Sequence, residues 1–132
     1  MNHHRILIVD DYPDAAESAC VLYALMGYEC RVAFKGFDAL AVALAFDPDI
    51  VILDIGLPDI SGYEVAKVLR KSRDGRTHLV ALTGWGARED RVRALAAGFD
   101  QHVVKPADGG KLRDIIRIAE RHLTSSAGFA RT

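Results

Sequence analysis

The sequence feature that most constrains the fold is the apolar run Ile50-Val51-Ile52-Leu53, which ends directly in Asp54. A strand that is apolar on both faces is typical of the middle of a parallel sheet, because helices cover both faces of such a sheet. A carboxylate at the end of a buried strand is costly unless it has partners or a function. The simpler alternative is that Asp54 caps the turn that follows, but its position also marks it as a candidate functional residue.

Strand and helix patterns alternate along the chain. Strands are predicted at 5–9, 28–34, 50–53, 79–82 and 99–104, and helical spacing of apolar residues follows each one. This alternation predicts an α/β domain with a parallel sheet and helices on both faces. The first, third and fourth strands are apolar throughout, whereas the second alternates and belongs at an edge. We therefore expect a flavodoxin-like, doubly wound (βα)5 sandwich with strand order 2-1-3-4-5.

Apolar residues at helical spacing predict the buried side of each helix. The predicted buried residues are Ala15, Ala19, Leu22 and Met26 in the first helix, Phe37, Leu40, Ala41 and Leu44 in the second, Val65, Val68 and Leu69 in the third, Val92, Leu95 and Ala96 in the fourth, and Leu112, Ile115, Ile116, Ala119 and Leu123 in the last. Ser61 and Glu64 have capping-box spacing. Residues 1–123 are predicted to form the domain, and 124–132 a flexible tail.

Composition excludes several classes of protein. The chain has 132 residues, a formal net charge of −1 and two cysteines, so one domain is the default and direct nucleic-acid binding is not expected. Its apolar runs are too short to cross a bilayer, and its N-terminus has no apolar signal region. Two cysteines without metal-ligand spacing fit a reducing compartment. We expect a cytoplasmic protein without membrane contact.

The ends of the predicted strands carry the chemistry. Asp10 and Asp11 follow the first strand, Asp54 ends the third, Thr83 ends the fourth and Lys105 ends the fifth. Parallel strands bring these side chains to one edge of the sheet, where ligands of such folds bind. Each close pair of carboxylates repels by about 4 kcal/mol at an effective dielectric of 20, and one ammonium cannot neutralise three of them. Mg²⁺ is therefore the predicted cofactor.

The same arrangement suits a phosphoryl group. Asp54 is a candidate nucleophile that would form an aspartyl-phosphate. Lys105 and Mg²⁺ would neutralise the phosphoryl oxygens, and the Thr83 hydroxyl and the backbone N–H next to it, at Gly84, would donate hydrogen bonds. The sequence therefore predicts a site for phosphoryl transfer.

The chain resembles the CheY-like receiver domain of two-component response regulators. The resemblance covers residues 5 to about 123 and is carried by Asp10-Asp11, Asp54, the loop 57–62, Thr83-Gly84 and Lys105-Pro106. The resemblance implies that Asp54 accepts a phosphoryl group from a phosphohistidine of a sensor kinase or histidine phosphotransfer protein. It implies a signalling module that phosphorylates and dephosphorylates itself and is not an enzyme. It also implies a cis Lys105-Pro106 bond.

The resemblance assigns roles to further residues. Asp11, Asp54 and the Gly56 carbonyl would bind Mg²⁺ directly, and Asp10 would bind it through water. The family usually has an aromatic residue at position 102 that changes position together with the threonine. This chain has His102 there, so we expect the imidazole to take the place of the aromatic ring in the switch. Trp85 stands at a position that modulates hydrolysis, as does Gly56. Output to a downstream protein, or formation of a homodimer, would use helix four, strand five and helix five.

Other charged and titratable residues have simpler interpretations. Asp59 is predicted to belong to its own turn and not to the site. The charged run 88–93 is predicted to be a solvated helix face. Four histidines lack metal-ligand spacing and are predicted to lie on the surface: His3, His4, His78 and His122.

Two alternatives remain at this stage. A Mg²⁺-dependent aspartyl-phosphate phosphohydrolase of the haloacid-dehalogenase type would need a second aspartate at position 56, where this chain has Gly56. A nucleotide-binding module would need a Gly-rich cradle after the first strand, where this chain has Asp10-Asp11. Whether the receiver stands alone or is a segment of a longer regulator or hybrid kinase stays open.

Overall fold

Strands and helices alternate strictly along the part of the chain that the structure describes. The computed structural model describes residues 4–72, 76–84 and 88–131, with the backbone alone for 125–131. The strands are β1 (Arg5–Val9), β2 (Glu29–Ala33), β3 (Ile50–Asp54), β4 (His78–Thr83) and β5 (Gln101–Val104). The helices are α1 (Pro13–Leu25), α2 (Gly36–Phe46), α3 (Gly62–Ser72), α4 (Arg88–Ala97) and α5 (Gly109–Arg131).

The sheet confirms the predicted topology. The described strands form one parallel sheet with the order β2-β1-β3-β4-β5. All residues of β3 are buried, whereas burial alternates along the edge strand β2. The apolar run of β3 lies in the middle because only there do helices cover both faces of a strand.

Two apolar cores lie on opposite faces of the sheet. Successive side chains of a strand point to opposite faces. Val51 and Leu53 accordingly belong to a core formed with α2, α3 and α4. Ile50 and Ile52 belong to a core formed with α1 and α5. None of the described helices is both long and apolar enough to span a membrane.

The predicted buried side is wrong for α4 and largely wrong for α2, where Leu40 alone of the four predicted residues packs against the core. In α2, Phe37 is 60% exposed and Leu44 is 89% exposed, while Ala39 and Ala43 face the sheet. The same shift occurs in α4, where the exposed residues are Val92 and Leu95 and the buried ones are Ala94 and Ala97. Alanines let a helix approach the sheet closely. Because α2 is apolar almost all round, its periodicity could not select this side.

The other helices follow their predictions more closely. The buried residues of α1 are Ala16, Ala19 and Tyr23. The prediction is therefore wrong at Ala15 and Met26, which are exposed. In α3, Val65 and Leu69 are buried as predicted, but Val68 is 46% exposed. The predicted stripe of α5 is buried at Leu112, Ile115, Ile116 and Ala119, with Leu123 half-buried.

The helix ends show two differences from the prediction. Ser61 Oγ accepts a hydrogen bond from the Tyr63 N–H at 3.1 Å, but the Glu64 carboxylate lies 3.4 Å from Lys67 instead of closing a capping box. Helix α5 continues to Arg131, so the backbone of 124–131, expected to be a tail, is helical. The sequence after Pro106 contains no proline that would stop the helix.

Candidate functional site

The carboxyl ends of β1, β3, β4 and β5 bring the predicted polar residues to one edge of the sheet. Asp10 follows β1, Asp54 and Thr83 end their strands, and Lys105 follows β5. Carboxylate oxygens of Asp10, Asp11 and Asp54 all lie within 4.8 Å of one another. Parallel register explains this convergence, because neighbouring strands end at the same level.

Asp54 is only 5% exposed, and both oxygens of its carboxylate have partners. Asp54 Oδ2 lies 2.7 Å from Lys105 Nζ, and Asp54 Oδ1 accepts a hydrogen bond from the Gly56 N–H at 2.9 Å. An ammonium and a backbone donor together stabilise the ionised carboxylate against the cost of its burial.

The loop after Asp54 is fitted closely around this strand end. A Cβ at Gly62 would lie 2.6 Å from the Asp54 carbonyl oxygen, so only glycine allows the start of α3 to approach here. A Cβ at Gly56 would lie 3.7 Å from Asp54 Oδ1. The absence of a side chain at Gly56 therefore leaves the approach to the carboxylate open.

Asp10 and Lys105 show the electrostatic imbalance of the site. Burial raises the pKa of Asp10, the Tyr12 N–H and Lys105 oppose this, and the charges of Asp54 and Asp11 raise it further. Burial disfavours the Lys105 ammonium, but its hydrogen bond to Asp54 and the nearby carboxylates outweigh burial and raise its pKa. Lys105 Nζ lies 3.8 Å from Asp10 Oδ2, so one ammonium serves two buried carboxylates.

Thr83 and His102 are in contact. Thr83 Oγ1 lies 3.2 Å from His102 Nε2, although the two residues are on different strands. Burial lowers the pKa of His102, the nearby Arg91 lowers it further, and Asp90 opposes both. The imidazole is therefore neutral at pH 7, and its Nε2 either donates a hydrogen bond to the Thr83 hydroxyl or accepts one from it.

Two further predicted residues complete this edge. A Cβ at Gly84 would meet nothing within 4 Å, so the space on that side of the backbone next to Thr83 is open. The Lys105-Pro106 peptide bond is cis, as the family resemblance implied. Trp85, predicted to modulate the site, lies outside the described residues.

Asp59 has a partner that sequence reasoning missed. Its carboxylate accepts hydrogen bonds from the N–H groups of Gly36 and Phe37, at 2.8 and 2.9 Å. The Phe37 N–H is the largest cause of the lowered pKa of Asp59. Asp59 is not one of the three acids of the cluster, and it caps α2 from a distant loop instead of serving only its own turn.

A groove beside the acidic cluster was also missed. A cavity of about 710 Å³ lies between α1 and the start of α5 and reaches Asp10 and Lys105. Small residues of α1 line it, among them Ala15, Ser18 and Ala19. The helical spacing of Ala15 and Ala19 is a signal for this groove, but the same spacing also predicts a packing face of α1.

The prediction that His78 and His122 lie on the surface is wrong for His78. His78 is only 1% exposed, and its Nδ1 lies 2.7 Å from His122 Nδ1. His78 occupies the first position of β4, where it is covered by α5. Among the other histidines, His4 is half-buried, and His3 lies outside the described residues.

Comparison with known proteins identifies the family of this chain. Residues 6–117 match the family model of the response regulator receiver domain. The chain belongs to this family. Receiver domains are signalling domains of two-component systems, and the fold described above is CheY-like.

Individual relatives agree with the family match. The probable transcriptional regulatory protein TcrX of Mycobacterium tuberculosis is 41% identical over 101 residues, which cover 76% of this chain and 43% of TcrX. The receiver thus spans less than half the length of that relative. The CheY-like receiver domain protein of Methanospirillum hungatei has a TM-score of 0.84 and 29% identity, covering 96% of this chain and 98% of that one.

A third relative carries bound ligands. The response regulator TrrA of Thermotoga maritima was solved in complex with Mg²⁺-BeF, with a TM-score of 0.77 and 32% identity. The alignment covers 88% of this receiver and 98% of TrrA.

Proposed function

We propose that Asp54 is the phosphoacceptor of this receiver and takes its phosphoryl group from a phosphohistidine of a sensor kinase or histidine phosphotransfer protein. The observation that carries the proposal is the pairing of a buried carboxylate with Lys105 at 2.7 Å, beside two further carboxylates. A strand end with only a structural role would need neither the ammonium nor the additional acids.

The donor set fits a hard divalent cation. Three carboxylates with oxygens within 4.8 Å of one another exceed the charge of one ammonium, and oxygen is the ligand that Mg²⁺ prefers. Asp11, Asp54 and the Gly56 carbonyl would hold Mg²⁺ directly, and Asp10 would hold it through water. When bound, the ion would neutralise charge on the phosphoryl oxygens.

The chain's own residues would carry the transfer. An Asp54 oxygen attacks phosphorus while the bond from phosphorus to the donor histidine nitrogen breaks, and the imidazole leaves with the bonding electron pair. Lys105, already 2.7 Å from Asp54 Oδ2, moves its hydrogen bond to a phosphoryl oxygen. The Thr83 hydroxyl and the Gly84 N–H donate to another phosphoryl oxygen.

The Thr83 contact provides a route for the signal. When the Thr83 hydroxyl turns toward the phosphoryl group, its 3.2 Å contact with His102 is lost. His102 is then released to adopt a different position in β5. We propose that this replaces the aromatic switch of the family, and that Trp85 modulates hydrolysis of the aspartyl-phosphate, as the family resemblance implies.

Two surfaces suit protein partners. The groove between α1 and α5 opens next to Lys105 and would receive the phosphohistidine donor. On α4, Val92 is 59% exposed and Leu95 is 69% exposed, which supports output or homodimer formation through α4, β5 and α5. The chain has a net charge of −1, so we propose that it does not contact nucleic acid directly. We also propose that it has no membrane contact and is cytoplasmic.

The test is phosphorylation by acetyl phosphate in the presence of Mg²⁺. We expect one acid-stable, base-labile phosphoryl group per chain, no labelling after EDTA treatment, and slow loss of the label. Asp54→Asn should abolish labelling, whereas Asp59→Asn, which removes a carboxylate outside the site, should not. Labelling that survives in Asp54→Asn would contradict the assignment. Sustained turnover of phosphate esters would instead favour the phosphohydrolase.

A further inference from the structure

A second cluster of titratable side chains lies at the amino ends of the strands, opposite the carboxyl ends that carry the phosphoryl site. His78 is the first residue of β4, Asp100 precedes β5, and His122 lies on α5. Their side-chain ligand atoms all lie within 4.8 Å of one another. In the β3–β4 ladder His78 pairs with Ile50, four positions before the pair formed by Asp54 and Leu82, so the cluster is separate from the phosphoryl site.

The geometry points to a metal ligand set. His78 Nδ1 lies 2.7 Å from His122 Nδ1 and 3.9 Å from Asp100 Oδ2. Two imidazole nitrogens and one carboxylate are a common set for Zn²⁺, which completes its coordination with a water molecule. We propose that His78, His122 and Asp100 bind a Zn²⁺ ion that links α5 to the starts of β4 and β5.

His78 has the protonation state that a metal ligand needs. Burial lowers the pKa of His78 to about 4, with Asp100 opposing and with His122 and Arg70 lowering it further. The imidazole is therefore neutral at pH 7 and its ring nitrogens do not have to lose a charge before they bind. His122 is half-buried, which gives an ion access to the cluster from solvent.

Binding requires a defined rearrangement of one proton. Without metal, the short distance between the two Nδ1 atoms means that one imidazole donates to the other. The Nε2 of the Gln101 side-chain amide lies 2.6 Å from His78 Nε2 and can only donate, so the shared proton belongs to His78 Nδ1. Binding needs both Nδ1 lone pairs, so this proton moves to His78 Nε2. Rotation of that amide presents its oxygen as acceptor, the usual outer-shell partner of a ligating histidine.

The rings must also separate slightly. With Zn–N bonds of about 2.05 Å in tetrahedral geometry, the two nitrogens lie about 3.3 Å apart, which is about 0.6 Å more than the present 2.7 Å. His122 is the ligand that can make this adjustment, because it is on a helix surface and is less buried than His78.

The carboxylate ligand is held in position by its neighbours. Asp100 Oδ2 accepts hydrogen bonds from the Leu79 N–H at 2.8 Å and from Arg70 at 2.7 Å. The Arg70 guanidinium also donates to the carbonyls of Thr77 and Gly98, so it keeps partners when Asp100 turns toward a metal. Its positive charge lowers the affinity for a cation, and Asp100 offsets part of this effect.

The experiment is a Zn²⁺ titration of the whole chain by calorimetry, with excess Mg²⁺ present to occupy the acidic cluster. We expect saturable binding of one Zn²⁺ per chain and a rise in Tm. His122→Gln and Asp100→Asn should each weaken binding at least about tenfold. His4→Gln and Asp54→Asn should leave it unchanged, because these residues lie outside the proposed site.

A spectroscopic measurement identifies the ligands. Co²⁺ in place of Zn²⁺ should give the intense visible absorption of a tetrahedral site with nitrogen ligands, and His122→Gln should remove it. Absence of stoichiometric Zn²⁺ binding would overturn the proposal, as would binding that is unchanged in the folded His122→Gln and Asp100→Asn proteins. Binding that is lost in Asp54→Asn instead would assign the ion to the acidic cluster and would also overturn it.

Discussion

Replacing Asp10 with asparagine should make the metal-free receiver more stable. At an effective dielectric of about 20, Asp54 at no more than 4.8 Å repels Asp10 by at least about 3.5 kcal/mol, whereas Lys105 at 3.8 Å attracts it by about 4.4 kcal/mol. Asp11 adds a repulsion that water screens, because its side chain is exposed. These pairwise interactions nearly cancel, so the cost of burying the Asp10 charge remains.

The asparagine removes that cost and keeps an oxygen for the Tyr12 N–H, which donates to Asp10 at 3.0 Å. Lys105 keeps Asp54 as its partner at 2.7 Å, so the substitution leaves no buried charge unpaired. We therefore expect Asp10→Asn to raise the free energy of unfolding by about 1.5 kcal/mol at pH 7, similar to the gain found when buried ion pairs are replaced by neutral side chains. For a domain of this size the corresponding rise in Tm is about 5 °C.

The assay is urea and thermal unfolding in EDTA, with Asp14→Asn as the control. Asp14 is an exposed acid in the first turn of α1, so this variant changes the net charge equally and should stay within about 0.5 kcal/mol of wild type. Added Mg²⁺ should stabilise wild type more than Asp10→Asn. If Asp10→Asn unfolds more easily than wild type in EDTA, ionised Asp10 is net stabilising and the electrostatic reasoning is wrong.

Three further predictions concern the scaffold. Gly62→Ala should destabilise the fold by about 3 kcal/mol, because its Cβ would lie 2.6 Å from the Asp54 carbonyl oxygen, and denaturant unfolding measures the loss. Leu44→Gln should be neutral within about 0.5 kcal/mol, whereas Ala43→Leu should cost about 2 kcal/mol, and equal effects in unfolding experiments would contradict the observed orientation of α2. The folded-state pKa of His78 is about 4, below its ordinary value of 6.5, so unfolded chains bind more protons between these pH values. Stability in EDTA should therefore fall with decreasing pH across this window, by up to about 1.4 kcal/mol per pH unit, and a slope unchanged in His78→Gln would assign the effect to other groups.

The strands and the composition of the site could be predicted because both depend on local sequence. The apolar run of β3 and the alternation of β2 determine which strand is central and which is at an edge. Asp54 and Lys105 follow from strand ends, and parallel register brings these ends together whatever the helices do.

The helix orientations and the long-range partners could not be predicted in this way. Phe37 and Leu44 are large and apolar, yet the small Ala39 and Ala43 face the sheet, because close approach of a helix depends on side-chain size and not on hydrophobicity alone. Asp59 looks like a turn residue because its partners in α2 are more than twenty positions away.

His78 was misassigned for a related reason. It precedes the apolar run of β4, where a polar residue normally marks a strand boundary at the surface. Its imidazole is buried because His122 and Gln101 supply hydrogen-bonding partners from α5 and β5. Partners that come from two other elements leave no signal in the spacing of one segment.

Peptide mapping of the phosphorylated chain tests the central claim most directly. The protein is incubated with Mg²⁺ and acetyl phosphate, the acyl phosphate is trapped by borohydride reduction, and the modified residue is located by mass spectrometry. The account predicts one modified residue, Asp54, with no modification when Mg²⁺ is withheld. Modification at Asp10, Asp11 or another carboxylate, with Asp54 intact, would contradict it.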